Sequence, residues 1–188
     1  MLYTILTTLA FLKLFWPLIN TIYKSLRYIY CQFYPIDIKK YGSWAVITGG
    51  SDGIGKAYAL ELAKRGLNIL VIARTEKKLV NVCMEAKNNY DVSVDYIVFD
   101  FKDDVYDELK LAIEHKPYYH DIAILVNNVG ILPYAYDAYG EKCSNFENLQ
   151  QLVESNYKIN IKPQSLVTGI VLPSFLARKR GIIVCMSS

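Results

Sequence analysis

The sequence predicts an α/β fold with a doubly wound parallel sheet, in which helices cover both faces of the sheet. Short, nearly continuous apolar runs alternate with segments of helical periodicity, which is typical of parallel strands buried on both faces. A glycine-rich turn follows the first apolar run and precedes the first of these helices. The 188 residues are 53% hydrophobic and 21% charged, which allows a sizeable core and excludes a disordered or acidic-tail protein.

The predicted strands and helices follow one another in regular alternation. A helix starts at about Gly53, because apolar residues then recur at the spacing of one helix face. A polar helix follows the second strand, another helix covers about 104–115, and a longer helical stretch covers roughly 145–179. Pro163 lies within this last stretch and predicts a bend or break there. The predicted strands are residues 44–48, 68–73, 94–99, 122–126 and 182–186.

Residues 1–40 are predicted to form a membrane anchor and linker, followed by a globular part, residues 41–188. The first 23 residues contain a single charged side chain, Lys13, and are long enough to span a hydrocarbon core. By the positive-inside rule, the basic residues that follow predict a cytoplasmic globular part. A lysine at the centre of a span costs about 3 kcal/mol, so the alternative is a helix in the headgroup layer, rich in aromatic and basic residues. A soluble core helix is the third interpretation, and we favour membrane attachment over it.

Charge and cysteine placement argue against several other classes of function. Residues 41–188 carry 16 basic and 17 acidic side chains, so their net charge is 16 − 17 = −1. A nearly neutral globular part is unfavourable for binding nucleic acid. The four cysteines are far apart and form no CxxC pair, and the chain has only two histidines. We therefore predict neither a zinc or other metal site nor a disulfide framework.

The segment TGGSDGIG, residues 48–55, joins the first predicted strand to the first helix. Its glycines at 49, 53 and 55 permit a tight turn, close approach of the backbone to a pyrophosphate, and close packing of helix on strand. The start of the helix adds free N–H groups and the positive end of the helix dipole. Together these features predict a phosphate-binding turn for a dinucleotide, and a purely structural turn is the alternative.

The end of the second predicted strand indicates which dinucleotide is bound. An NAD site typically has an acidic residue about 20 residues beyond the turn, hydrogen-bonded to the ribose. Ala73 and Arg74 occupy this place, and Lys77 and Lys78 follow them. A cation there suits a 2′-phosphate, so we predict NADP(H) as the cofactor. A solvated basic start of a helix is the alternative.

Three motifs resemble the short-chain dehydrogenase/reductase family: TGGSDGIG, NNVG at residues 127–130, and VCMSS at 184–188. The family pattern is TGxxxGIG, NNxG and a strand that ends in a serine. The resemblance runs from about Tyr41 to Ser188 and implies a Rossmann fold without its C-terminal part. Residues 41–75 look like one membrane-attached branch of the family. That branch holds 17β-hydroxysteroid dehydrogenases that double as very-long-chain 3-oxoacyl-CoA reductases of the endoplasmic reticulum, together with hydroxysteroid-dehydrogenase-like relatives described as inactive.

The resemblance implies a set of cofactor contacts. Arg74 matches the 2′-phosphate position, and Asp100, after the third strand, matches an acidic contact to the adenine. Asn127 and Gly130 match the segment that supports the central sheet and the cofactor. The pyrophosphate turn corresponds to Gly49, Ser51, Asp52, Gly53, Ile54 and Gly55.

For catalysis, the resemblance implies that Ser188 orients and polarises a substrate carbonyl and that Asn160 holds a proton-relay water. The family's general acid is the tyrosine of a YxxxK pair that follows the serine, and the 188 residues do not extend to it. The only Tyr-x-x-x-Lys in the chain, Tyr106 with Lys110, precedes the serine. We attribute it to chance spacing on a solvated helix face.

The resemblance implies reduction of a ketone on a hydrophobic substrate by NADPH, at the endoplasmic reticulum membrane. The substrate would be a 3-oxoacyl-CoA or a 17-ketosteroid, and a homodimer is compatible with the family. The alternative is a catalytically inactive dinucleotide-binding protein, and the residue at the tyrosine position would separate the two. A product that ends at Ser188 is expected to be unstable and inactive, because its fifth strand would be an exposed sheet edge.

Overall fold

The computed structural model describes residues 2–33, 37–103, 105–131, 150 and 153–186. The chain divides into two compact units, Met1–Asp37 and Ile38–Ser188. In the first unit, a single long helix, α1 (Leu2–Phe33), contains Pro17. Large apolar and aromatic side chains of α1 are exposed, among them Leu14 and Trp16. Among the described residues, no helix combines the length and the apolar character needed to cross a membrane.

In its described residues, the second unit contains a parallel sheet of five strands: β1 (Trp44–Thr48), β2 (Asn68–Ala73), β3 (Val94–Val98), β4 (Ile122–Asn127) and β5 (Ile182–Cys185). The order β3-β2-β1-β4-β5 reverses direction between β1 and β4, which confirms the predicted doubly wound sheet. Two strands end one residue earlier than predicted, at Val98 and Cys185, and β4 continues to Asn127.

Helices cover both faces of this sheet. The helices are α2 (Gly53–Lys64), α3 (Glu76–Asn89), α4 (Tyr106–Glu114) and α5 (Lys162–Arg178). Because strand side chains alternate between faces, Ala45 and Ile47 of β1 pack with α2 and α3. Trp44 and Val46 pack with α4 and α5 on the other face. Every residue of β1 is buried, as the sequence pattern predicts for a central parallel strand.

The long helical stretch before β5 is interrupted, as predicted near Pro163. Residues 153–156 are helical, a π-turn covers Tyr157–Ile161, and α5 then starts with Pro163 in its first turn. Proline has no N–H to donate to the preceding turn, so the regular α-helical bond pattern cannot continue through it. Residues 145–149, 151 and 152 of the predicted stretch lie outside the described residues.

The segment before β1 is more ordered than a linker. Residues 38–41 form a short 3-10 helix, Ile38–Tyr41, and both of its terminal side chains pack against the core. Gly42 follows with a φ of +143°, and a Cβ there would lie 2.5 Å from the carbonyl oxygen of Asp121. The globular unit therefore includes these residues, because the backbone at Gly42 packs directly on the segment that precedes β4.

Candidate functional site

A cleft of about 500 Å³ opens at the carboxyl ends of the strands, where the strand order reverses between β1 and β4. In doubly wound sheets this crevice is where ligands bind. The loops that follow β1, β2, β3 and β4 all line it. The cleft brings together most of the predicted cofactor residues, namely Gly49, Ser51, Asp52, Gly53, Ile54, Arg74, Asp100 and Gly130.

Gly49, Gly53 and Gly55 of the turn have different structural roles. Gly49 has a φ of +64°, and a Cβ there would lie 2.9 Å from the Cα of Val129, so conformation and space both require glycine. Gly55 does not line the cleft, and a Cβ on it would overlap the backbone of Gly49. Gly53 has a φ of +53°, but a Cβ there would enter open space. The turn therefore leaves room beside the first residue of α2.

The side chains of Thr48 and Asn128 hold the loop after β1 against the loop after β4. The buried Thr48 hydroxyl donates to the carbonyl of Val126 at 3.3 Å. The same oxygen accepts from the amides of Asn128 at 3.0 Å and Val129 at 3.2 Å. In return, Asn128 Nδ2 donates to the carbonyls of Thr48 at 3.2 Å and Gly49 at 3.1 Å. These bonds fix two walls of the cleft relative to each other.

The amino end of α2 is oriented towards the cleft. Asp52 caps this helix, since its carboxylate accepts from the amide of Gly53 at 2.8 Å and its carbonyl accepts from the amide of Lys56 at 3.1 Å. Ile54 lines the cleft, and its amide has no acceptor within the described residues. A helix start with an unpaired amide and the positive end of the helix dipole is suited to an anionic group.

The wall after β2 carries two cations in different situations. Lys78 of α3 forms an ion pair with Asp52, with 2.7 Å between Nζ and Oδ2. The hydrogen bond from Lys78, together with that from the Gly53 amide, lowers the pKa of Asp52. The exposed Arg74 guanidinium has neither a hydrogen bond nor an ion pair to the part of the chain that the structure describes. Lys78 thus balances the Asp52 charge, whereas Arg74 has no counter-charge among the described residues.

Asp100 and Asn127 lie in different surroundings. Asp100 lines the cleft on the loop after β3, between Phe99 and Phe101, and its Oδ1 accepts from the amide of Lys102 at 3.0 Å. Asn127, the last residue of β4, is 1% exposed and does not line the cleft. Its Nδ2 donates to the hydroxyl of Thr168 at 2.9 Å, which joins β4 to α5.

Asn160, in the π-turn, holds the loop after β4. Its Oδ1 accepts from the amide of Ile131 at 2.7 Å, and its Nδ2 donates to the carbonyl of the same residue at 2.9 Å. The Nδ2 also donates to Asn156 Oδ1 at 2.8 Å, while the Asn160 carbonyl accepts from Gln164 Nε2 at 3.1 Å. A role for Asn160 in holding a proton-relay water stays a prediction. Ser188, the predicted catalytic serine, lies outside the described residues.

Sequence reasoning assigns no role to Thr48 or Asn128, although both lie inside the quoted motifs. Their contact joins two loops that are 80 residues apart, and no local pattern shows it. The available signal is the chemistry of Thr48, a hydroxyl at the end of a buried apolar strand. A buried hydroxyl needs a hydrogen-bond partner, and backbone amides in the loop that follows a neighbouring strand can supply one.

Residues 43–188 match a sequence profile described as short chain dehydrogenase. The chain belongs to the short-chain dehydrogenase family. The family match covers the whole sheet and each of the loops that line the cleft. The resemblance that the sequence motifs predict is therefore confirmed.

Relatives within this family are much longer than this chain. The chain is 44% identical over 153 residues to human inactive hydroxysteroid dehydrogenase-like protein 1, an alignment covering 80% of the chain and 43% of that protein. It is 37% identical over 187 residues to mouse very-long-chain 3-oxoacyl-CoA reductase, covering 93% and 57%. The chain thus spans about half the length of the curated relatives it matches.

Solved structures of the family show the same fold. A short-chain dehydrogenase from Sphingobium yanoikuyae, solved in complex with NADPH, superposes with a TM-score of 0.64 at 23% sequence identity. The superposition covers 77% of this chain and 53% of that one. At this identity the likeness concerns the fold alone.

Proposed function

We propose that the cleft binds a nicotinamide dinucleotide and prefers NADP(H). The observation that carries this proposal is the juxtaposition, in one cleft, of the glycine turn at the start of α2 and the guanidinium of Arg74 after β2, which has no counter-charge within the described part of the chain. The turn suits a pyrophosphate, because the amide of Ile54 and the positive end of the helix dipole would stabilise an anion bound there. The guanidinium suits a phosphate on the adenosine ribose, since it can donate two parallel hydrogen bonds to it.

The dimensions and the walls of the cleft fit such a cofactor. Its volume of about 500 Å³ falls within the usual range for small-molecule and cofactor sites. The space beside Gly53 is where a Cβ would otherwise stand, so the backbone can approach a phosphate closely. Phe99 and Phe101 add apolar surface beside Asp100, as a purine ring requires.

We further infer that the whole protein reduces a ketone on a hydrophobic substrate. The mouse relative is named for reduction of a very-long-chain 3-oxoacyl-CoA, and its alignment includes 93% of this chain. When bound, the cofactor would supply the hydride that reduces the carbonyl carbon. The residues of this chain would bind and orient it, and Ser188 would polarise the carbonyl oxygen. Attachment of residues 1–40 to the endoplasmic reticulum membrane belongs to the same proposal and is supported by the exposed apolar side chains of α1.

A catalytically inactive dinucleotide-binding protein is the second candidate. The 44% identity to a human protein named as inactive favours it. Both candidates require the cofactor cleft, so binding alone does not separate them. Oxidation of NADPH by a 3-oxoacyl-CoA, followed at the nicotinamide absorbance with the whole protein, separates them. Turnover supports the reductase, and binding without turnover of any ketone supports the inactive protein.

The cofactor proposal is tested by replacing Arg74 with methionine. The matched control is Lys77→Met, an exposed cation three residues further along that does not line the cleft. Nicotinamide fluorescence titrations of NADPH and NADH then compare both variants with the native protein. A hydrogen-bonded ion pair is worth about 1.5–3 kcal/mol, so Arg74→Met should weaken NADPH binding roughly 10- to 100-fold and leave NADH binding unchanged.

Three outcomes of these titrations would contradict the proposal. If the native protein binds NADH as tightly as NADPH, the preference for the phosphorylated dinucleotide is wrong. The same follows if Arg74→Met and Lys77→Met change the affinity ratio equally. If the native protein binds neither dinucleotide, the assignment of the cleft itself is wrong.

A further inference from the structure

The carboxyl end of α5 and the 3-10 helix Ile38–Tyr41 form a corner that is rich in basic side chains. Arg180 Nη1 donates to the carbonyl of Lys40 at 3.3 Å, although these residues are 140 positions apart in the sequence. Lys179 immediately precedes Arg180, and a Cβ built on Gly66 would lie 2.5 Å from the Nζ of Lys39. We call Lys39, Lys40, Lys179 and Arg180 the basic corner, and all four are exposed.

Arg178 fixes the geometry of the basic corner without adding to its exposed charge. Its guanidinium donates to the carbonyl of Tyr41 at 2.7 Å and to the carbonyl of Ile122, the first residue of β4. Burial lowers the pKa of this partly buried guanidinium. The two segments that carry the basic corner are therefore held together by hydrogen bonds from the Arg178 and Arg180 side chains to the backbone carbonyls of Tyr41 and Lys40.

Asp37 and Asp121 are acidic groups near the basic corner. Asp37 precedes the 3-10 helix, and Asp121 accepts from the Ser43 hydroxyl and lies near Arg178. Outside residues 178–180, residues 41–188 contain 13 basic and 17 acidic side chains. The basic corner is therefore opposite in sign to the remainder of the globular part, which favours contact with an anionic surface there.

An exposed apolar side chain lies next to these cations. Leu176, one helical turn before Arg180, is 66% exposed. Lys179 itself has a φ of +54°, in the left-handed region where glycine is usual at the end of a helix. A lysine therefore occupies a backbone position that favours glycine. Cations beside an exposed leucine suit the boundary between lipid headgroups and acyl chains.

We propose that the basic corner contacts the anionic phospholipid headgroups of a bilayer surface. The basic corner lies at the amino ends of the strands, beside Ile122, whereas the cleft opens at their carboxyl ends. Contact with lipid through the basic corner leaves the cleft open to water, from which a soluble dinucleotide arrives. In the sequence, the 3-10 helix follows α1 after only four residues, and α1 exposes apolar side chains suited to the same surface. The proposal does not depend on the cofactor proposal.

The test compares binding of the whole protein to vesicles of phosphatidylcholine alone and to vesicles that also contain phosphatidylserine. The variant Lys40→Gln/Lys179→Gln/Arg180→Gln is matched by the control Lys77→Gln/Lys102→Gln/Lys110→Gln, which removes three exposed charges elsewhere on the globular part. Each cation near an anionic surface changes partitioning about five-fold, so the anionic preference of the first variant should fall on the order of 100-fold. The control should stay within about two-fold, because its charges lie outside the basic corner.

A single substitution, Lys179→Gly, distinguishes loss of vesicle binding through lost charge from loss through misfolding. Glycine relieves the left-handed conformation, so this variant should unfold at a temperature no lower than the native protein and still lose anionic preference about five-fold. Native-like binding of Lys179→Gly to anionic vesicles would overturn the proposal, as would equal losses in the triple variant and its control. It would also be overturned if the basic corner governed binding of single-stranded RNA while vesicle binding stayed independent of it.

Discussion

Replacing Thr48 by valine is the sharpest test of how the cleft is built. Valine has nearly the same shape as threonine but lacks the hydroxyl that joins the loops after β1 and β4. The substitution removes the bond to the Val126 carbonyl and the two bonds accepted from the amides of Asn128 and Val129. Thr48 is fully buried, so no water can replace the lost oxygen without a change in structure.

The expected loss follows from these three bonds. A neutral hydrogen bond contributes about 1 kcal/mol, and a donor left unsatisfied on burial costs about 1–3 kcal/mol. The added methyl returns about 0.8 kcal/mol of apolar burial. Thr48→Val should therefore lower the free energy of unfolding by about 2–3 kcal/mol. The control, Thr48→Ser, keeps the hydroxyl and loses one buried methyl, so it should cost about 1 kcal/mol.

Urea unfolding followed by circular dichroism measures both losses. The midpoint should fall in the order native, Thr48→Ser, Thr48→Val, with an unchanged dependence on urea concentration. NADPH affinity should fall for the valine variant alone, because the two cleft walls lose the bonds to the Thr48 hydroxyl and keep only those from Asn128 Nδ2 to the carbonyls of Thr48 and Gly49. If Thr48→Val proves as stable as Thr48→Ser, the hydroxyl does not hold the loops together and the reasoning fails.

Three further substitutions test two separate features of the fold. Gly53→Ala should cost about 1 kcal/mol of backbone strain, whereas Gly55→Ala should cost at least 3 kcal/mol, since its Cβ would overlap the backbone of Gly49. Urea unfolding midpoints measure both losses of stability. Similar losses for the two variants would contradict the packing described for Gly55. Burial raises the pKa of Asp95, but hydrogen bonds from Lys116 and neighbouring groups outweigh burial and leave the pKa below its ordinary value. This carboxylate therefore stabilises the fold above a pH of about 4 and loses that effect as pH falls through its lowered pKa. Asp95→Asn should lower the melting temperature at pH 7 and have little effect near pH 2, and an equal effect at both would exclude the ion pair as the cause.

Local features of the sequence determine the elements and the glycine turn. Strand β1 is recognisable as a run of apolar residues, because a central parallel strand is buried on both faces whatever its neighbours are. The positive φ values of Gly49 and Gly53 are likewise a local requirement, since few other residues adopt that conformation readily. The break near Pro163 is also predictable, because proline limits its own backbone locally. The π-turn that forms the break is not predictable from the local sequence.

The tertiary structure alone decides which distant residues meet. The strand order brings the loops after β1 and β4 together, so Asn128 reaches the carbonyl of Gly49 and Asn160 holds Ile131. The tertiary structure also gives two nearby cations different surroundings. Lys78, in the first turn of α3, pairs with Asp52, whereas Arg74 has no counter-charge among the described residues. Periodicity and local conformation act over a few residues, and a sequence shows them directly. Contacts across 80 or 140 positions depend on how strands are ordered in the sheet, which no short segment encodes.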